Sequence, residues 1–350
     1  MKIAIDYRLA LNSNRGMARY CREIVKKIFE LDSKNNYVLL VNYIPKDMAL
    51  PANFSFAKIN FANFILAEQF SIPWFVKKHK CDVLWCPYNT FPVFLSKKIK
   101  LFVTIHDLIF MHRSFGRETL RKAVGKFYRR FVLTIFSKRI DCYFTVSEYS
   151  NKEIQKRLRL NCFGGLTVNC LSESFVELAN QNKRTVKENY FFTVSGDSPS
   201  KNLMFLIMIF TSWLPNETLF IAGISNNSVF RKYQTDRIVF LHDKITDEEL
   251  IKNYSTCKAF LFPSLEEGFG IPIIEALCCQ AKVIASNRSC LPEILNGNGL
   301  LFDPMDIKSF LNAIEEIPVY SFSYDVSDYI SWQVPARVVI NAIINEGIKK

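Results

Sequence analysis

Short apolar runs alternate with longer stretches of helical periodicity, and the alternation occurs twice. Lys2–Asp6, Tyr37–Asn42, Asp82–Trp85, Leu101–Ile105 and Asp141–Val146 read as buried strands, and the apolar face of Tyr20, Ile24, Ile28 and Leu31 marks a helix over roughly 18–31. A polar, charged run follows at 180–189, and then the pattern restarts with Tyr190–Val194, Leu219–Ala222, Ile238–Leu241, Ala259–Phe262 and Lys282–Ala285. Strands separated by helices cannot pair as hairpins. They form parallel βαβ units, so the chain is expected to be α/β, with two doubly wound lobes and a cleft between them. The expected domains are 1–180 and 188–330, with a final helical stretch at 334–350 joining the first.

The 350 residues are 49% hydrophobic, enough to bury a core in each lobe. The ten cysteines form no Cys-x-x-Cys pair and several sit in apolar runs, as in Ile273–Gln280. They read as buried reduced thiols, which implies a reducing compartment. The N-terminus lacks the apolar core of a signal peptide, and the longest uncharged stretch, Asn202–Asn216, is too short to span a bilayer. The expected location is the cytoplasm.

Ligands of parallel sheets bind outside the carboxyl ends of the strands. The segment there with the most chemical content is Phe262-Pro263-Ser264-Leu265-Glu266-Glu267-Gly268-Phe269-Gly270-Ile271-Pro272-Ile273-Ile274-Glu275. Gly268 and Gly270 allow close approach of a ligand to the backbone. Pro272 suits the first turn of a helix, whose free N–H groups and dipole favour an anion. Glu267 and Glu275 flank that anion site. Two carboxylates beside a diphosphate would repel it, but they accept hydrogen bonds well from hydroxyls on either side. A nucleoside-diphosphate sugar has hydroxyls at both ends.

This string resembles the Glu-x7-Glu signature of the family 4 retaining glycosyltransferases, the group 1 glycosyl transferases of GT-B fold. The likeness extends to Asn14–Tyr20, Ala67–Gln69, Trp85–Thr90, Thr104–Leu108, Thr145–Ser150, Ser286–Glu293 and Gly299–Pro304. It implies two Rossmann-like domains, the first binding acceptor and the second a nucleotide sugar. It implies no cofactor and no metal. The absence of any Asp-x-Asp triplet agrees, as does the lack of phosphate-loop and dinucleotide fingerprints.

The resemblance also implies roles. Glu267 would hold donor-sugar hydroxyls near the reacting carbon, and the amides of Gly268, Phe269 and Gly270 would hold phosphate or sugar. Glu275 would bind the ribose, and Gly16 would approach the diphosphate. His106, at a strand end beside Asp107, would hydrogen-bond the sugar or support developing positive charge. Lys201 and Asn202, after Gly196, would meet the diphosphate. His106, Lys201 and Glu267 are thus the catalytic candidates. The loop near His242–Ile245 is the candidate for the base. The family's Arg-Lys-Asn block reads Ser200-Lys201-Asn202 here, so one of two expected cations is missing.

The formal charge is +12, and +8 of it falls within 113–140, where nine basic residues and one acid are interleaved with Phe115, Leu120, Val124, Phe127, Phe131, Val132 and Phe136. A second such stretch, 61–80, carries Phe64, Ile65, Phe70, Trp74 and Phe75 ahead of Lys77, Lys78 and Lys80. Both read either as core-packed helices with solvated basic faces or as docking segments for an anionic membrane surface. No nucleic-acid-binding signature accompanies them.

The expected function is retaining, metal-independent transfer of a hexose from a nucleoside-diphosphate sugar to a lipid-linked or polysaccharide acceptor in surface glycan biosynthesis. Within the resemblance, the Arg-Tyr and His-Asp blocks lean towards mannose. The alternative is a non-catalytic relative that binds sugar nucleotide or glycan within a membrane-surface complex.

Overall fold

The computed structural model describes residues 1–12, 16–46, 48–60, 63–112, 120–182 and 187–348. The readings made on Asn14 and Arg15, on Phe61, on 113–119 and on the middle of the polar junction lie outside the described residues. The chain divides into two units, residues 1–169 together with the C-terminal stretch from Trp332, and Cys170–Ser331.

In the first unit seven strands form one sheet: β1 (Lys2–Asp6), β2 (Asn36–Val41), β3 (Phe54–Lys58), β4 (Val83–Cys86), β5 (Lys100–Thr104), β6 (Cys142–Thr145) and β7 (Phe163–Leu166). Their order is β3-β2-β1-β4-β5-β6-β7, and every pairing is parallel. The chain winds outward from β1 in both directions. With right-handed crossovers, that puts helices on opposite faces and makes the β1/β4 junction the topological switch point. The five inner strands are short and almost wholly buried, as parallel strands covered on both faces must be, while the edge strands β3 and β7 are largely half-buried or exposed. The helix Gln333–Ile348 packs against the helix Gly16–Leu31 and against β7.

The second unit repeats the plan with β8 (Phe191–Val194), β9 (Leu219–Ala222), β10 (Ile238–Phe240), β11 (Ala259–Phe262), β12 (Val283–Ser286) and β13 (Leu300–Phe302). The order is β10-β9-β8-β11-β12-β13, again all parallel. Its core joins Phe191, Leu206, Ile221, Leu261, Ile284 and Phe310. The helix Glu173–Gln181, capped by Ser172, packs on the helix Asp247–Thr256 and belongs to this unit, upstream of the polar run at 180–189.

Three strands carry no clear sequence pattern: β3, β7 and β13. The reason is plainest for β7, which reads Phe-Gly-Gly-Leu. A Cβ on Gly164 would come within 2.4 Å of Cys142 Sγ, and one on Gly165 within 2.6 Å of Val338 Cγ1. The glycines that spoil the strand signature are what let the neighbouring strand and the C-terminal helix pack this closely. Among the described residues no helix is long and apolar enough to cross a membrane. Nine of the ten cysteines are buried, and all ten are free thiols.

Candidate functional site

β8 and β11 are neighbours at the switch point of the second sheet, so the loops that leave their carboxyl ends run side by side. The first carries Gly196, Lys201 and Asn202, and the second Glu267, Gly268, Phe269 and Gly270. A backbone bond from Leu265 N–H to Ser200 O (2.7 Å) ties them together. Lys201 Nζ donates to Glu267 Oε1 at 2.6 Å, with the two side chains 29% and 13% exposed. The lysine also lies 5.4 Å from the Phe262 ring centroid. Two residues 66 positions apart thus form one ion pair at the switch point, open on one side to solvent.

The surroundings hold this pair in place. The Glu267 N–H donates to Ser289 Oγ (3.1 Å), and Cys290 Sγ donates to the carbonyls of Glu267 and Phe269 (3.3 and 3.2 Å). Gly270 takes the left-handed conformation (φ 98°) and caps the helix Ile271–Cys278, with Pro272 in its first turn. A Cβ there would meet Leu291 Cδ2 at 2.9 Å. Phe269 is buried edge-on to Tyr329 and anchors the loop. Asn202, also left-handed (φ 55°), starts the helix Leu203–Ser212, and its Nδ2 is buried with no hydrogen-bond partner. Ser264 Oγ is in the same position. A Cβ on Gly196 would meet nothing within 4 Å, so the loop surface there is open. Glu275, one turn into its helix, is buried and accepts from Tyr254 Oη at 3.3 Å. At the missing-cation position, Ser200 Oγ pairs with Ser198 Oγ (2.9 Å). After β10, His242 Nε2 pairs with Glu249 Oε1 (2.8 Å).

His106 and Gly16 belong to the first unit. Gly16 is the exposed first residue of its helix. His106 follows β5 and is buried, with its backbone N–H on Asn89 Oδ1 (2.7 Å) and its carbonyl accepting from Ser150 Oγ (3.1 Å). Its Nε2 lies 3.0 Å from Pro87 O. A carbonyl only accepts, so Nε2 carries the proton and Nδ1 a lone pair. The Tyr20 ring meets it edge-on at 4.7 Å. Burial pulls the imidazole pKa down to about 4, against a smaller opposing effect from the Pro87 bond. His106 is therefore neutral at physiological pH and accepts or donates hydrogen bonds as a dipole. The blocks around Tyr20, Pro87–Asn89 and Ser150 converge on it.

Sequence reasoning did not find the charged cluster at the carboxyl end of β1. Arg8 holds Asp6 through two bonds (Nε–Oδ1 2.8 Å, Nη2–Oδ2 2.7 Å) and lies 3.9 Å from Glu68 Oε2. Glu68 Oε1 accepts from Thr90 Oγ1 (2.9 Å), Gln69 Nε2 (3.1 Å) and Tyr128 Oη. Burial pushes the Glu68 pKa up to about 7. Nor did it assign roles to Ser289, Cys290 or Tyr254, although Ser289 and Cys290 fall within a block it singled out.

Residues 175–318 match the family model described as "Glycosyl transferases group 1". Over 245 residues the chain is 30% identical to the O-antigen chain mannosyltransferase RfbU of Salmonella typhimurium, covering 66% of this chain and 63% of that protein. Over 214 residues it is 25% identical to the O-antigen chain mannosyltransferase B of Escherichia coli, covering 56% of this chain and 51% of that one. The chain therefore spans somewhat over half the length of these relatives. Among solved structures, the apo lipopolysaccharide outer core galactosyltransferase WaaB superposes with a TM-score of 0.68 at 16% identity, over 99% of this chain and 100% of that one. A sucrose-phosphate synthase from Thermosynechococcus elongatus superposes with a TM-score of 0.66 at 15% identity, over 100% and 97%. The architecture, two Rossmann-like parallel-sheet domains, is that of the GT-B glycosyltransferases, and over residues 175–318 the chain is similar to the group 1 glycosyl transferases.

Proposed function

We propose that the chain is a retaining, metal-independent hexosyltransferase. It moves mannose from a nucleoside-diphosphate sugar to a lipid-linked or polysaccharide acceptor in surface glycan biosynthesis. The observation that carries this reading is the Lys201–Glu267 pair at 2.6 Å at the carboxyl edge of the sheet. A diphosphate arriving there competes with the carboxylate for the ammonium, exchanging one charge-assisted bond for another. Glu267 is then free to accept from sugar hydroxyls. Lys201 and the amides of Gly268, Phe269 and Gly270 stabilise the negative charge that grows on the leaving phosphate, where fixed dipoles and cations act most strongly. Asn202 Nδ2, unpaired in its buried position, is a further donor for that charge after a small rotation. Glu275 takes the ribose, Gly196 keeps the approach to the phosphates open, and the loop from His242 takes the base, with Gly16 a further donor-binding residue.

Retention follows if the acceptor attacks on the face the diphosphate leaves and a departing phosphate oxygen takes its proton. His106, neutral and fixed by Pro87, offers a sugar hydroxyl the Nδ1 lone pair. With helix-terminal amides and Lys201 carrying the charge, no metal is required. The mannose assignment draws on the names of the two O-antigen relatives. The protein works in the cytoplasm, peripheral to the inner face of the cell membrane. Its basic, apolar segments at 113–140 and 61–80 contact the anionic leaflet. In the described part of the first, Val124, Phe127, Phe131 and Ile135 form an exposed stripe on the helix Leu120–Phe136.

Glu267→Ala and Lys201→Ala are each expected to lower transfer by a factor of roughly 10² to 10³ or more. Their melting temperatures should stay close to wild type, because a half-open ion pair contributes only about 1 kcal/mol or less. Full activity in both variants would sink the site assignment. A second reading, binding without turnover, is favoured by Ser200 at the position of the expected arginine. Release of nucleoside diphosphate from donor by the purified protein excludes it.

A further inference from the structure

A groove of 390 Å³ opens beside the carboxyl end of β3, an edge strand, and is lined by Lys58, Ile59, Phe70, Trp74 and Phe75 among others. Its volume falls in the range of small-molecule sites, roughly 300–1,000 Å³. The π-helical turn Ala67–Ser71 runs directly into the helix Ile72–Lys78. Phe70 and Trp74, four residues apart, remain 55% and 60% exposed at the mouth. Phe70 stacks on Phe94, which is 67% exposed, so the apolar surface continues beyond the groove. The turn is firmly held from inside: Gln69 Nε2 donates to Tyr128 Oη (2.6 Å) and to Phe91 O (3.1 Å), and Val93 N–H donates to Gln69 Oε1 (2.8 Å). The aromatics therefore present a fixed surface.

Charge identifies the occupant. Between Pro51 and Cys81 the chain has four lysines, 58, 77, 78 and 80, all exposed, and one acid, Glu68, which is buried. Lys78 Nζ lies 4.5 Å from the Trp74 ring centroid, so a cation stands directly above the groove mouth. An apolar slot with exposed aromatics at its rim and cations around it matches a hydrocarbon chain that ends in an anion. We propose that this groove binds a single anionic membrane lipid. Its acyl chain lies along Phe70, Trp74 and Phe75, and its phosphate sits on Lys58 and the lysines at the end of the helix Ile72–Lys78. This deepens the membrane-surface reading above and rests on it, giving one of the two segments a defined lipid site.

The test uses the full chain with Trp213→Phe as background, since Trp85 and Trp332 are buried and Trp74 then becomes the exposed indole. Vesicles of phosphatidylcholine alone are compared with vesicles that also contain phosphatidylglycerol, with and without brominated acyl chains. Binding is expected only with phosphatidylglycerol, together with bromine quenching of Trp74. Trp74→Ser should weaken that binding about 10- to 100-fold, the value of burying one large apolar side chain. Phe127→Ser, on the other apolar stripe, should leave the quenching in place. Binding to anionic vesicles with Trp74 unquenched, or with no change in Trp74→Ser, overturns the groove while leaving general membrane attachment standing. Absence of binding to either vesicle overturns both. Nucleotide binding measured on the same preparations reports separately on the donor site, and Trp74→Ser should not alter it.

Discussion

Two buried ionisable side chains in the first unit pull its stability in opposite directions with pH. His106 has a folded pKa of about 4, below the unfolded value of about 6.5. Between those values the unfolded chain binds more protons, so stability rises with pH across the window. Glu68 has a folded pKa of about 7, above its unfolded value near 4.5. There the folded chain binds more protons, and the contribution present at low pH is lost as pH rises towards 7. Each shift corresponds to an effect on the order of 3 kcal/mol. His106→Asn should therefore lose less stability than wild type between pH 7 and pH 4.5, and Glu68→Gln should gain relative stability at pH 8 compared with pH 5. Denaturant midpoints at those pH values check both, and parallel profiles in wild type and variants would contradict them. The proposed catalytic residues His106, Lys201 and Glu267 are picked out in the sequence by the resemblance and by their place after strands. The partnership of Arg8 with Glu68 is not, because it spans 60 residues and leaves no local pattern, although Glu68 falls within the Ala67–Gln69 block.

The loop between β11 and the helix Ile271–Cys278 is the element on which the site depends. Its shape needs a left-handed residue at position 270, with no room for a Cβ beside Leu291. Gly270→Ala should destabilise the second unit by about 1–3 kcal/mol. It should also weaken donor binding, because the cap fixes the direction in which the loop amides point. Urea unfolding and nucleotide titration of this variant read the two effects separately, and unchanged values in both would remove the loop from the account. The sequence shows this element well, since Gly, Gly and Pro punctuate it at fixed offsets. It shows β3, β7 and β13 poorly. In β7 tight packing against Cys142 and Val338 selects glycine over the branched residues that normally mark a strand. The π-helical turn Ala67–Ser71 is equally silent, because one extra residue in a helix barely disturbs its apolar periodicity.

At the scale of the whole chain, one plan is used twice. Each sheet is parallel, winds outward from a central strand, and leaves its polar and glycine-rich loops at the carboxyl edge. The alternation of strands and helices carries that plan in the sequence. The junction near residue 170 is less visible, since the helix Glu173–Gln181 that opens the second unit precedes the polar run. The surplus of positive charge is concentrated in the first unit, the expected acceptor side, while the second carries the Lys201–Glu267 pair and the carboxylate of Glu275. The central claim is that the second unit binds a nucleoside diphosphate. Calorimetric titration of the purified protein with GDP, UDP, ADP and dTDP, with Glu275→Ala as control, tests it most directly. The account predicts selective binding of one of them, GDP if mannose is the sugar, and its loss in the variant with the fold retained. Binding of none, or binding that Glu275→Ala leaves unchanged, would contradict it.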